Sequence, residues 1–268
     1  MNIRYSLHKI NKKENCPFNE EEYSWFKFGD KYYAEKFAAE LFEGFIKEHG
    51  ELLLSKEEIV ILPSPFLSIP TASNFLCAYF KKHLNSYLFV NDKKSSIESK
   101  IYRNQTYVTD YGNLGFEDRV KLISNDTYYI DRSFIAGKLC IFVDDIKITG
   151  SHEHTINKIL NQYNVEGDFV FVYYAELMNK EIHPNIENYY NYFAVKGVEE
   201  IIALVNRKSF QFNTRIVKYI LNLEQDKFCL LLDSMTNERK DELFHLAISN
   251  NYHQITEYKY NINAIKLD

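Results

Sequence analysis

Two adjacent acids and a following threonine-glycine turn are the residues of this sequence best suited to chemistry. Asp144 and Asp145 come directly after residues 139–143, a continuous apolar run that is too short for a core helix. Such a run is typical of a buried parallel strand, and ligands bind just beyond the carboxyl ends of such strands. Because an unpaired buried carboxylate is costly, we expect the two acids to face a cation, a diol or water.

The residues after the acids predict a phosphate-binding turn. Thr149, Gly150 and Ser151 precede a polar, helix-compatible segment at 153–160. A loop that opens a helix directs backbone N–H groups, hydroxyls and the positive helix end at one phosphate. A ribose phosphate with Mg²⁺ would therefore satisfy the acids and the turn together. A strand followed by a capped helix, with acids that are merely solvated, remains the alternative interpretation.

A second strand, loop and helix lie upstream. The apolar residues 59–62 lead into a loop that contains Ser64, Pro65, Ser68 and Thr71, and residues 72–84 have the apolar spacing of an amphipathic helix. The loop would meet the acids if the two strands are neighbours in one parallel sheet. A purely structural loop with proline near a helix start is the alternative.

Residues 142–151, Phe-Val-Asp-Asp-Ile-Lys-Ile-Thr-Gly-Ser, resemble the phosphoribosyl-pyrophosphate (PRPP) motif of type I phosphoribosyltransferases. The resemblance implies that Asp144 and Asp145 hold the ribose hydroxyls and, indirectly, Mg²⁺ as the cofactor. It implies phosphate or ribose contacts for Lys147, Thr149, Gly150, Ser151 and His152. The motif departs from the usual family pattern at Ile148, which is apolar next to the base site, and at His152.

The same resemblance assigns roles to two further segments. Ile-Pro-Thr-Ala at 69–72 is similar to an element of the family's pyrophosphate loop, which implies pyrophosphate contacts for Ser64, Pro65, Ser68 and Thr71. The interval 93–133 corresponds to the family's flexible hood, which carries a basic residue near the pyrophosphate. Arg103 is the first candidate for that residue and Lys100 the second, so the implied catalytic set is Asp144, Asp145 and Arg103.

Four segments narrow the resemblance to the ComF-like group associated with tellurite-resistance and stress gene clusters. They are residues 26–30, 107–112, 137–153 and 212–218. The resemblance implies Mg-dependent phosphoribosyl transfer between PRPP and an unidentified nitrogen base. A non-catalytic PRPP- or nucleotide-binding regulator, or a component of a stress complex, is the alternative, and Ile148 favours it. The sequence leaves two further possibilities, a homodimer and a protein partner encoded in the same stress gene cluster.

Composition limits the class of protein. The chain has 268 residues, 46% of them hydrophobic, which is enough for one large or two small domains with a real core. A net charge of −5 argues against broad nucleic-acid binding. No apolar run reaches membrane-spanning length and no signal peptide is evident, so we expect a cytoplasmic protein. Cys16, Cys77, Cys140 and Cys229 lack metal or disulfide spacing.

Alternating patterns predict an α/β fold with a central, mainly parallel sheet flanked by helices. We expect a phosphoribosyltransferase-like domain at 1–197, with an N-terminal cap and the hood, and a helical extension at 198–268. Predicted strands are 59–62, 87–90, 139–143 and 169–174, with a further strand at 191–195; predicted helices are 32–47, 72–84, 154–163, 198–206, 213–221, 227–233 and 238–250. Asn213 is expected to cap its helix, with Arg215 and Lys218 nearby for an acidic or phosphate group.

Overall fold

The computed structural model describes residues 2–103, 117–118 and 128–265. Its centre is a parallel sheet with the strand order β1-β7-β6-β2-β3. The strands are β1 (Asn2–Ile10), β2 (Ile59–Pro63), β3 (Ile97–Glu98), β6 (Leu139–Lys147) and β7 (Asp168–Leu177). A separate antiparallel pair consists of β4 (Tyr102–Arg103) and β5 (Tyr128–Tyr129). The predicted α/β class with a parallel sheet is confirmed.

Helices cover both faces of the sheet. Helices α1 (Glu20–Lys27), α2 (Lys31–Leu54) and α3 (Ala72–Val90) lie in the first half of the chain; the short α4 (Arg132–Ile135) precedes β6, and α5 (Ser151–Gln162) and α6 (Ile186–Asn191) follow it. Alternate residues of β6 supply the two cores, since Ile141 and Val143 join the cluster of α2 and α3, whereas Cys140 and Phe142 join the cluster of α5. This is the period of two of a strand that is buried on both faces.

Two of the predicted strands are wrong. Residues 87–90 form the end of α3, because Phe80, Leu84 and Leu88 continue one buried helical stripe at a spacing of four. The apolar run there resembles a strand only because Phe89 and Val90, which are 79% and 77% exposed, stand on the solvent side. Residues 191–195 end α6 and continue into a turn, and the two remaining strands of the sheet are instead the N-terminal β1 and the short β3.

The last part of the chain is helical, as predicted. It contains α7 (Val198–Val205), α8 (Thr214–Leu221), α9 (Gln225–Ser234), α10 (Asn237–Ser249), a 3-10 turn (Tyr252–Gln254) and α11 (Thr256–Ala264). These helices share a hydrophobic cluster of their own, which also takes in Trp25, Phe28 and Ile69 from the first half of the chain. Among the described residues, no helix combines the length and apolarity needed to cross a membrane.

Candidate functional site

A cavity of about 470 Å³ opens at the carboxyl ends of β2 and β6. The two strands pair in parallel up to Pro63 and Val143. From β2 the chain continues to β3 on one side, and from β6 it continues to β7 on the other. Such a point of divergence leaves a crevice outside the strand ends, which is the usual ligand site of open parallel sheets. The cavity volume lies in the range of small-molecule sites.

The acid pair lies at this edge of the sheet, but its two members point in opposite directions. Side chains of successive strand residues alternate between faces. Asp144 follows Phe142 toward α5, and Asp145 follows Val143 toward α1 and α2. Each carboxylate therefore has its own set of partners, and the two acids cannot be equivalent ligands.

Asp145 is neutralised from within the protein. The Lys27 ammonium forms an ion pair with its carboxylate, and the Tyr23 hydroxyl donates a hydrogen bond of 2.8 Å to the same oxygen. All three side chains are buried, with Asp145 only 5% exposed. Burial raises the pKa of Asp145, and the neighbouring Asp144 adds to this rise, while Lys27 and Tyr23 oppose it. This acid is therefore part of a buried network in which its partner is a lysine.

Asp144 faces the helix that follows the motif. Its carboxylate lies 2.9 Å from Nδ1 of His152 and accepts a 2.9 Å hydrogen bond from the backbone N–H of Asp145. Burial acts to raise the pKa of Asp144, but the hydrogen bond and charge of His152 outweigh burial, and the pKa falls below its ordinary value. Asp144 is thus the carboxylate of the pair that is held ionised at the cavity.

The predicted turn begins α5 as expected. Gly150 has a φ of +78°, a left-handed conformation that favours glycine, and it caps the helix that starts at Ser151. The Thr149 hydroxyl donates to the Ser151 hydroxyl at 3.0 Å. The first amide groups of a helix lack partners within it, and these lie beside the cavity. Hydroxyls, amides and the helix end are therefore brought together where an anion would bind.

Lys147, also predicted to contact phosphate, lines the cavity but is engaged by acids. Its Nζ lies 2.9 Å from Glu176 and 3.3 Å from Glu153. Glu153 in turn pairs with Arg4 and accepts a 3.1 Å hydrogen bond from the Tyr173 hydroxyl. Burial opposes ionisation of Glu153, but Arg4 and Lys147 together lower its pKa. This network joins β1, β6, β7 and α5, and it fixes the position of the helix that carries the turn.

The loop after β2 supplies a second side of the cavity. Ser64, Pro65 and Thr71 line it, whereas the Ser68 hydroxyl donates to the Ser249 carbonyl at 2.8 Å and does not face the cavity. The Asn74 amide holds the loop closed, because it donates to the Ser64 carbonyl at 2.9 Å and accepts from the Thr71 backbone N–H at 2.6 Å. Three of the four predicted loop residues therefore reach the site.

The two basic hood candidates differ in position. Arg103 lines the cavity from β4. The ammonium of Lys100 instead lies 3.8 Å from the centre of the Phe66 ring, and burial lowers its pKa. Most of the predicted hood, residues 104–116 and 119–127, falls outside the described residues, and the motif at 107–112 lies there too.

The helical extension contributes the remaining wall. Asn213 caps α8 as predicted, since its side chain accepts from the Ile216 N–H at 3.1 Å. Arg215 and Lys218, one turn apart on α8, both line the cavity, together with Tyr219. Capping and cavity lining therefore occur in one helix.

Sequence reasoning missed Lys27, Tyr23 and Glu187, which lie beside the acid pair. The segment 26–30 contributed to the family resemblance but gave no reason to bring Lys27 to Asp145. The alternation of side chains along 139–145 could have predicted a buried partner for Asp145, because adjacent acids on a strand face opposite sides. A buried acid on the helix-covered side requires a cation from that side.

The matching family model carries the description PRTase ComF-like and covers residues 1–265. A search of curated protein sequences finds no match. The family suggests phosphoribosyl transfer in general and implies binding of a phosphoribosyl donor and a base. Together with the parallel sheet and the cavity beyond β2 and β6, the match shows that this chain belongs to the ComF-like phosphoribosyltransferase family.

Proposed function

We propose that the protein transfers the 5-phosphoribosyl group of PRPP to a nitrogen acceptor in a Mg-dependent reaction. The observation that carries the proposal is the position of the ionised Asp144 beside the α5 turn, in a cavity whose other side is the β2 loop. A ribose diol, a 5-phosphate and a diphosphate need these three kinds of partner. One ligand of the size of PRPP would meet all of them at once.

In this arrangement the 5-phosphate binds the amides and hydroxyls of Thr149, Gly150 and Ser151. The ribose hydroxyls donate to Asp144, the carboxylate that His152 holds ionised. The diphosphate lies against the loop at Ser64 and Thr71, and Arg103 of β4 is the cation assigned to it. Fixing the donor at both ends aligns its C1 carbon for attack.

The reaction exchanges one bond at C1 for another. The lone pair of an acceptor nitrogen forms the C1–N bond while the C1–O bond to diphosphate breaks, and the bonding electron pair leaves with the diphosphate. An acceptor that began with an N–H loses that proton to solvent or to the departing diphosphate. As the ribose becomes cationic, the Asp144 carboxylate stabilises it, while loop amides and Arg103 stabilise the diphosphate.

Asp145 acts as a positioning residue in this proposal. Its charge is balanced by Lys27, and its hydrogen bond from Tyr23 fixes the end of β6. The backbone N–H of Asp145 also donates to Asp144. We therefore assign the diol to Asp144 and the orientation of Asp144 to the buried Asp145 network.

The donor set fits a magnesium ion that arrives with the ligand. Within the described residues no group of three or more His, Cys, Asp or Glu side chains is placed to hold a metal ion. Mg²⁺ is often held by one or two carboxylates together with substrate phosphates and water. Asp144 is the carboxylate for this role, and Asp145 contributes indirectly. When bound, Mg²⁺ would offset charge on the departing diphosphate.

A PRPP-binding regulator without turnover is the second candidate function. Ile148 favours it, because this residue of the turn lines the cavity and packs against the core instead of offering a polar group to an acceptor. The internal pairing of Asp145 points the same way, since it leaves one carboxylate for the sugar. Such a protein would bind PRPP and release no pyrophosphate.

Pyrophosphate release separates the two candidates. We expect the purified protein, given Mg²⁺, PRPP and a panel of nitrogen heterocycles, to release pyrophosphate with at least one acceptor. Asp144→Asn should lower kcat/KM for PRPP at least tenfold, about 1.4 kcal/mol. Asp92→Asn, in the turn after α3 and away from the cavity, is the matched control. Tight PRPP binding without release for any acceptor would favour the regulator, and an unchanged Asp144→Asn variant would remove the diol assignment.

A further inference from the structure

One wall of the cavity has no part in binding PRPP in the proposed function. The α5 turn and the β2 loop account for phosphate, ribose and diphosphate. The third wall includes Tyr192, Arg215, Lys218 and Tyr219, and these four residues are here called the extension wall. It belongs to the chain after β7, outside the motif that suggested PRPP. Its chemistry therefore bears on the second substrate.

Aromatic rings form the base of the extension wall. The rings of Tyr192 and Tyr219 have centres 6.3 Å apart, and both pack edge-on against Phe28, at 5.2 Å and 5.5 Å. Phe28 is fully buried, so it fixes both tyrosines from behind. Two half-buried rings held in place beside a cavity offer contact area for a flat ligand at a small entropic cost.

Two cations of α8 line the cavity together with these rings. The guanidinium carbon of Arg215 lies 5.6 Å from the centre of the Tyr192 ring, and Lys218 is three residues further along α8. Residues three apart share one face of a helix. Arg215 is planar and suited to binding a carboxylate through two hydrogen bonds, while Lys218 adds a point charge. The extension wall thus combines ring contact with anion recognition.

The position of the extension wall relative to the donor loop is fixed by backbone contacts. The Thr214 hydroxyl donates to the Ile69 carbonyl at 2.7 Å, and the Thr214 N–H donates to the Pro70 carbonyl at 2.8 Å. The first turn of α8 is therefore anchored to the loop after β2. An acceptor on the extension wall would lie beside the donor in the same cavity.

Charge decides which acceptors this wall favours. The cavity is also lined by the carboxylates of Asp144 and Glu187, and Glu187 is only 7% exposed. An acceptor with an anionic substituent gains from the positive charges of Arg215 and Lys218. A neutral acceptor gains only ring contact, and a cationic one would meet two like charges.

We propose that the extension wall forms the acceptor site, for a planar nitrogen heterocycle with an anionic substituent, in which Tyr192 and Tyr219 contact the ring and Arg215 and Lys218 bind the anion. This inference rests on the proposed phosphoribosyl transfer and names its second substrate by chemical class. It makes α8 the element that determines acceptor specificity.

Binding to an unreactive donor fragment tests the site without turnover. Calorimetry would compare orotate with uracil, and nicotinate with nicotinamide, on protein saturated with ribose 5-phosphate. Each pair shares a ring and differs in charge. We expect the acidic member to bind at least tenfold more tightly in at least one pair. Equal affinity within both pairs would overturn the proposal.

Variants of α8 assign that preference to residues. Arg215→Gln with Lys218→Gln should abolish the difference between acidic and neutral members while ribose 5-phosphate affinity changes less than threefold. Lys227→Gln is the control, because this lysine of α9 is exposed and pairs with Glu224. The single variants serve as a second set if the double variant melts at a lower temperature. Retention of the full preference in folded variants would overturn the assignment.

The diphosphate of the donor is the other anion that Arg215 and Lys218 could bind. Binding of inorganic pyrophosphate to the α8 variants is therefore measured separately. If the α8 variants weaken inorganic pyrophosphate binding and leave the acid preference intact, the cations belong to the donor and the proposal is wrong. In pyrophosphate-release assays, the expected result is a KM for the acceptor raised at least tenfold with the KM for PRPP within threefold. A protein that binds acidic heterocycles through α8 but releases no pyrophosphate would contradict the transfer reaction and leave this acceptor site standing.

Discussion

At the residue scale, the two acids have different roles because successive side chains of a strand point to opposite faces of the sheet. Asp145 is buried with Lys27 and Tyr23, and Asp144 faces the cavity with His152. The two acids were predicted to follow a buried strand at 139–143; the buried strand is present, but it continues to Lys147, so both acids lie within it. Their separate partners could not be predicted, because Lys27 lies 118 positions away in the sequence and no local pattern links a helix of the N-terminal segment to this strand.

Lys27→Met tests the buried pair. Removing one partner leaves an uncompensated buried charge, which typically costs about 3–5 kcal/mol of unfolding free energy. The variant should therefore unfold at lower urea concentration, and the pKa of Asp145 should rise further because Lys27 acts to lower it. Adding Asp145→Asn to Lys27→Met should recover part of the loss. A double-mutant cycle from urea unfolding measures the coupling, and a coupling near zero would contradict the pair.

His152→Ala tests the state of Asp144. His152 lowers the pKa of Asp144, and a carboxylate with a lowered pKa stays ionised to lower pH. Without His152 the carboxylate should protonate at higher pH, so PRPP affinity should begin to fall at a higher pH than in the parent protein. Calorimetric titrations from about pH 4 to pH 8 measure this shift. His154→Ala, exposed on the same helix, should leave the acid limb unmoved.

At the element scale, local patterns predicted most helices and the central strand, and failed where tertiary contacts decide. In the C-terminal helices and in the strand at 139–143, the spacing of apolar residues matches the observed secondary structure. The error at 87–90 arose because four apolar residues suit either state, and only the packing of Leu84 and Leu88 beneath α2 selects a helix. No local pattern established the N-terminal strand β1, since its pairing partner is distant in the sequence: Asn2 pairs with Phe169.

Asn213 joins two elements of the site and can be tested as such. Its side chain caps α8 and also donates to the Lys27 carbonyl at 3.1 Å, while the residue is fully buried. Asn213→Ala removes a cap, worth about 0.5–2 kcal/mol, and leaves a buried carbonyl without this donor, worth about 1–3 kcal/mol. Urea unfolding should show a loss within the sum of these ranges. Asn206→Ala, exposed after α7, should change stability by less than about 0.5 kcal/mol.

At the scale of the whole molecule, the extension is part of the site and shares its core with the first half of the chain. Trp25 and Phe28 of the α1 region pack into the extension cluster, and Arg207 both pairs with Asp30 and stacks on Trp25 at 4.7 Å. The sequence predicted the extension as a separate helical unit. It could not predict this shared packing, because the contacts join α1 to helices about 180 residues later.

Because the extension lines the same cavity, we expect donor binding to stabilise the first turn of α8. Thr214 is bonded to the loop that would hold the diphosphate, so ordering of that loop by PRPP should reduce opening of the first turn of α8. With Mg²⁺ and PRPP, amide hydrogen exchange should slow in 149–155 and in 214–219. Helix α9, none of whose residues lines the cavity, is the internal control and should change less. Protection confined to 149–155 would show that α8 does not respond to the donor, and that loop and extension are energetically independent despite their hydrogen bonds.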